Sequence, residues 1–154
     1  MTFQLSGLLA KQDRPSPGEH CPIARTLGVI GTKSAMLILR EAFYGTTRFD
    51  DFTTRAGITP AATAARLREL VEAGILTRVP YREEGKRARE GYALTDSGRE
   101  LAPVIIALAE WGSRHLPAQW TPEYSHAECG AALSVQFRCA EGHALSSDEV
   151  EVHA

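Results

Sequence analysis

Residues 58–74, ITPAATAARLRELVEAG, carry the punctuation that constrains this chain most. Thr59 is an N-cap residue, Pro60 takes the first helical position where its missing N–H is no loss, and Gly74 ends the run. Thr63, Leu67, Leu70 and Val71 recur at helical spacing and predict the inside face. Directly after Gly74 the period changes. ILTRVPY is rich in β-branched and aromatic residues, REEGKRARE is a polar turn around Gly85, and GYALT resumes extended structure. A hairpin with a basic tip is predicted.

Three helices are predicted upstream. Cys21-Pro22 opens the first, with Ile23, Leu27 and Ile30 at helical spacing up to Gly31. Thr32 caps the second, whose Met36, Leu37, Leu39 and Phe43 run toward Gly45, and Asp50, Phe52, Thr53 and Ala56 form a short third closed by Gly57. Beyond the hairpin, Thr95 caps one long helix from about Asp96 to His115, striped by Leu101, Ile105, Leu108 and Trp111. Pro103 lies too deep for its first turn and is expected to bend it. Residues 1–20 read as a flexible arm, with an apolar patch (Phe3, Leu5, Leu8, Leu9) and a Pro/Gly linker. Alternating Leu133, Val135, Phe137 and Cys139 predict a β-hairpin appendage within an acidic tail, residues 119–154. The expected class is mainly α with a small β wing, around one domain spanning 21–118.

At 154 residues and 44% apolar, the chain buries enough surface to fold without a disulfide or metal scaffold, and three cysteines are too few for a stapled secreted module. The run near Val104–Ala109 is far short of the ~18–20 apolar residues a spanning helix needs, and MTFQLSGLLAKQ lacks the basic n-region of a secretion signal. A cytosolic protein without a membrane partner is expected. The net charge of −2 argues against nucleic acid until the chain is divided. Residues 33–99 carry +3 and residues 121–154 carry −5, so a modestly basic domain is masked by an acidic tail.

Three helices, a capped helix of short side chains and a hairpin with a basic tip follow the order of a winged helix-turn-helix. In that arrangement Ala61, Ala62, Ala65 and Arg66 would meet base edges in the major groove, while Lys86, Arg87 and Arg89 would straddle the backbone or enter the minor groove. Arg66 and Arg68 stand about 200° apart on the helix. Arg66 is assigned to the DNA side; Arg68 either reaches a phosphate or pairs with Glu72. The bland alternative is that any small α+β domain can own a capped helix and a charged turn.

CPIARTLGVIGTKSAMLILREAFYGTTRFDDF, GITPAATAARLRELVEAGILTR and GYALTDSGRELAPVIIALAEWG, in that order, resemble the HxlR family of bacterial transcriptional regulators, relatives of the MarR group. The resemblance covers about Cys21 to Leu116. It implies a homodimer that binds an inverted-repeat operator in double-stranded DNA and represses or activates neighbouring genes; repression is the expectation. It also implies a recognition helix at Thr59–Arg68, a wing at Arg82–Arg89, and dimerisation through Cys21–Ile30 and Asp96–His115. Two departures stand out. Gly31-Thr32-Lys33-Ser34 replaces the family's usual Gly-Gly-Lys-Trp, which either opens a small pocket beside Cys21 or is refilled by a neighbour. Ala61, Ala62 and Ala65 stand where longer readers are common, which shifts base discrimination to thymine methyls, Arg66 and DNA shape.

Cys21 sits in the positive field of a helix N-terminus, reinforced by Arg25 one turn on, which is the setting of a redox or electrophile sensor. The competing reading is an inert, buried interface cysteine. His126, Cys129, Cys139 and His143 have spacings that suit a tetrahedral zinc site, but Gly142 stands where a second Cys of a Cys-x-x-Cys pair is needed. A vestigial ribbon or a Cys129–Cys139 contact is the preferred reading, so no cofactor is assigned. No nucleophile, metalloprotease, P-loop or Rossmann signature is present, and His20 beside Cys21 is too little for catalysis. An enzyme is not expected. The rival reading is a protein-interaction module that uses the acidic tail and the last helix.

Overall fold

The computed structural model describes residues 2–11, 16, 18–82, 88–117 and 120–153. Helix α1 spans Pro22–Ile30, α2 Lys33–Phe43, α3 Phe49–Ala56 and α4 Pro60–Glu72. After these come the antiparallel strands β2 (Leu76–Tyr81) and β3 (Arg89–Leu94), then α5 (Asp96–Arg99) and α6 (Ala102–His115). A two-residue strand β1 (Gln4–Leu5) precedes the helices, and β4 (Phe137–Arg138), β5 (Ala144–Leu145) and β6 (Glu151–Val152) follow them. No single helix among the described residues is long and apolar enough to cross a membrane.

Cap chemistry sets three of the helix starts. The hydroxyls of Thr32, Thr59 and Thr95 accept from the N–H groups of Ala35, Ala62 and Gly98, so each satisfies a donor that the first turn leaves without a partner. Gly57, at φ 63°, closes α3 in the left-handed conformation, which glycine enters without the Cβ penalty. The two helix ends at Gly57 and Thr59 thereby force a sharp turn between α3 and α4.

Helix α2 is the spine of the core. Its Ile38 and Leu39 are fully buried with Phe52 of α3, Leu67 and Leu70 of α4 and Leu76 of β2, and Ile105 of α6 closes the cluster. Each such side chain contributes roughly 1.5–3 kcal/mol by leaving water. Tyr92 of β3 meets Phe52 edge to face, at 6.2 Å between ring centres, which docks the hairpin on the same core.

Two expectations need correcting. The predicted single helix from Asp96 to His115 is broken: α5 stops at Arg99 and α6 restarts at Ala102, so Pro103 lies in a first turn and the expected bend is a full interruption. The break falls where Pro103, without an N–H, cannot bond to the carbonyl of Arg99; α5 itself is pressed against the start of β2, since a Cβ on Gly98 would lie 2.2 Å from the carbonyl oxygen of Ile75. The arm and the tail, expected as separate extensions, are hydrogen-bonded to each other. β1 pairs in parallel with β6, Gln4 opposite Glu151 and Leu5 opposite Val152, and Ser6 Oγ lies 2.7 Å from His153 Nδ1. The tail hairpin is short, pairing Phe137 with Leu145 and Arg138 with Ala144; Leu133 and Val135 lie outside its strands.

Candidate nucleic-acid interface

Helix α4 is held from below by a chain of hydroxyls. Thr63, fully buried, donates to the carbonyl of Thr59 at 3.1 Å, and Thr53 of α3 donates to Thr63 at 3.0 Å. This couples the two helices of the turn through polar contacts that apolar packing alone would not orient. Opposite Thr63, Leu67 and Leu70, the helix presents Ala61, Ala64, Arg68 and Glu72 to solvent, with Ala62 and Ala65 half-buried. The surface is therefore nearly smooth over its first two turns, as close approach to a groove requires.

The two arginines differ. Arg66 is drawn to the flank, its side chain 25% exposed and its Nη1 2.6 Å from Glu69 Oε2. Arg68 is 63% exposed, and its Nε lies 4.0 Å from Glu72 Oε1. Arg68 is the freer of the two, and its pair with Glu72 is too open to hold it against a phosphate. Ala64, which the sequence reading passed over, lies on the same exposed stripe. Counting from the buried positions 63, 67 and 70 would have found both.

The wing is fastened to the helix-turn-helix at three points. Tyr92 N–H donates to Thr47 O, the guanidinium of Arg48 stacks 5.1 Å above the centre of the Tyr81 ring, and Phe52 takes the edge of Tyr92. Arg78 and Glu90 pair across the strands at 3.1 Å. Arg82 and Arg89 are exposed on the two limbs of the hairpin. Lys86 and Arg87, expected at its tip, lie outside the described residues.

Behind this surface a charged network braces the turn. Glu41 of α2 is only 5% exposed; it receives Arg40 Nε and Nη2 on Oε1, and Oε2 accepts from the Thr46 hydroxyl at 3.5 Å. Arg55 of α3 donates to that same hydroxyl, and Arg40 Nη2 reaches the carbonyl of Arg55 at 3.4 Å. No buried side-chain nitrogen or oxygen among the described residues lacks a partner.

Elsewhere, Cys21 is the half-buried N-cap of α1 and makes no side-chain capping bond. Ser34, at the place of the family's tryptophan, is half-buried beside the Thr32 cap, with the two hydroxyls 3.3 Å apart. In the tail, His126 Nδ1 lies 3.1 Å from Cys129 Sγ, while Cys139 and His143 share a main-chain bond in the β4–β5 turn. The two pairs do not converge: no group of three or more potential ligands among the described residues is placed to hold a metal ion.

Comparison with known sequences decides the family. The model of the HxlR-like helix-turn-helix matches residues 29–120. This chain belongs to the HxlR-like helix-turn-helix family. Among the relatives of this HxlR-like chain is the HTH-type transcriptional regulator Rv3095 of Mycobacterium tuberculosis (strain ATCC 25618 / H37Rv), 37% identical over 119 residues, which cover 76% of this chain and 74% of the relative. The crystal structure of PA1607, described as a candidate transcription factor, superposes with a TM-score of 0.76 at 35% identity over 88% of this chain and 96% of its own. That likeness runs beyond the residues the family model matches. The redox regulator HypR in its oxidized form gives a TM-score of 0.57 at 32% identity, over 64% of this chain and 100% of its own.

Proposed function

We propose that this HxlR-like protein is a sequence-specific DNA-binding transcriptional regulator, acting in the cytoplasm as a homodimer that represses from an inverted-repeat operator. The observation that carries the reading is the smooth outer face of α4 (Thr59 cap, Ala61, Ala62, Ala65), flanked by Arg68 and by the exposed Arg82 and Arg89 of a wing locked to the same core. Arg66 contributes from the flank once released from Glu69. Lys86 and Arg87 belong to the same proposal. The dimer is supported by apolar residues that have no cover in the single chain. Ile23 is 71% and Leu27 57% exposed on one face of α1, and Val104, Leu108 and Trp111 form a stripe on α6.

An electrophoretic shift with the protein's own promoter region tests this reading. Arg68→Ala should weaken binding and lower the salt slope by about one, Arg66→Ala less so. Absence of any shift, with tail-dependent capture of a protein partner, would instead support an interaction module.

A thiol response through Cys21 is a second part of the proposal. It is supported by the half-buried thiol with no capping bond at the start of a helix whose Ile23 and Leu27 lack cover, and by the likeness to a redox regulator. Diamide should release the operator from the wild type but not from Cys21→Ser. Indifference of a protein shown to be fully reduced beforehand would remove this part.

A further inference from the structure

The loop that joins α2 to α3, residues 45–48, touches both strands at the root of the wing and is fixed before DNA arrives. Thr46, only 4% exposed, donates its main-chain N–H to the carbonyl of Glu41 at 3.0 Å, and its hydroxyl is held by Glu41 and Arg55. One residue on, the carbonyl of Thr47 accepts from Tyr92 of β3. The next side chain is that of Arg48, an exposed residue whose guanidinium lies over the ring of Tyr81 in β2. Stacking occupies the flat face of a guanidinium and leaves its N–H edge for an acceptor. Arg89 stands directly opposite Tyr81 in the β2–β3 register, so its side chain leaves the same face of the hairpin. Gly91, two residues further, adds no side chain that would close that face.

We propose that Arg48, stacked on Tyr81 and joined by Arg89, binds one phosphodiester of the DNA backbone, which makes the loop ahead of α3 a third DNA contact beside α4 and the limbs of the wing. The inference rests on the regulator reading. The ligand class follows from chemistry and place. Two guanidinium groups from different elements present planar N–H forks that match the oxygens of a phosphate, with a neutral ring as the wall between them. The site lies at the root of the wing and off the exposed stripe of α4, so it meets the backbone beside the groove and not the base edges. Nearby carboxylates keep it small. Asp50 and Asp51 stand in the first turn of α3, where the positive end of the helix favours them, and Glu90 is paired with Arg78. The positive surface is thereby confined to the span of a single phosphate. Because Thr46 and Thr47 already hold the loop, the contact costs side-chain entropy but little backbone entropy. It anchors the duplex without reading its sequence.

The test is fluorescence anisotropy of the full chain across a salt series, on its own promoter fragment and on an unrelated duplex of the same length. Arg48→Ala should weaken both duplexes by about tenfold and lower the salt slope by about one for each protomer bound. Arg48→Lys, which keeps the charge but neither the fork nor the stack, should restore the slope and only part of the affinity. Tyr81→Leu should cost several-fold with the slope unchanged. In all three the ratio of promoter to unrelated affinity should stay that of the wild type, and circular dichroism confirms that each variant folds. A scan of neutral methylphosphonate substitutions along the promoter then finds the phosphate: one position per protomer should cost the wild type several-fold and Arg48→Ala almost nothing. A wild-type slope in Arg48→Ala, or a loss that no single phosphate shares, overturns the inference and leaves Arg48 as a fastener of the wing. Failure of the wild type to bind either duplex at low salt refutes the regulator reading, and this contact with it.

Discussion

The main-chain N–H of Tyr92 donates to the carbonyl oxygen of Thr47 across 2.8 Å, so the second strand of the wing is hydrogen-bonded to the loop that leads into α3. Gly91 makes this approach feasible: a Cβ there would stand 2.9 Å from the same oxygen. Gly91→Val is therefore expected to push the wing off the helix-turn-helix and cost about 1–3 kcal/mol. Urea denaturation checks the stability, and an unchanged midpoint would show that the contact yields freely.

The Thr53–Thr63 hydroxyl contact is expected to position α4 more than it stabilises it. Thr63→Val keeps the shape, leaves Thr53 its bond to the Phe49 carbonyl, and should cost about 1 kcal/mol. Operator affinity should fall further than that loss accounts for. Equal proportional losses in stability and DNA affinity would assign Thr63 to packing alone.

Leu27→Glu separates assembly from folding. Leu27 lies outside the core cluster, so the variant should fold with a near-native spectrum but sediment as a monomer and lose the operator. Sedimentation velocity decides, and a dimer that survives the charge would place the interface elsewhere.

Glu149 offers a pH-dependent contact in the tail. Its carboxylate accepts from the Ser146 N–H and hydroxyl, which holds it below the ordinary value of 4.5. A depressed acid stabilises the fold above its ordinary titration range and loses that contribution as pH falls through the depressed value. The capping turn at Ser147–Glu149 should accordingly persist at pH 5 and open in stronger acid. A carbon-detected titration of Glu149 should show the low midpoint, and Ser146→Ala should return it toward 4.5.

Local chemistry was the readable part of this chain. Thr32, Thr59 and Thr95 cap helices in the sequence reading and in the structure because a cap needs only its own next three residues. The hairpin followed from a change of period after Gly74. The break between α5 and α6 was half legible: Pro103 marked the place, but the seat of Gly98 against Ile75 joins residues 23 positions apart that no local rule connects. The pairing of β1 with β6 was hidden for the same reason, and two-residue strands carry no alternation to detect. The contact between the hydroxyls of Tyr44 and Tyr124 was equally out of reach, because the two are 80 positions apart and meet only through the tail's return. The relative exposure of Arg66 and Arg68 was available in principle from the wheel of buried residues.

The parallel ladder between β1 and β6 also sets a timetable. Ser6 and His153, which meet at its edge, are 147 positions apart, so closing that loop carries nearly the largest entropic cost this chain can incur, for very few hydrogen bonds. The helical core needs none of it and can assemble while the ribosome is still translating the tail. Gln4 and Leu5 thus wait, unpaired, until Glu151 and Val152 have been made, long after the helical core has its own partners.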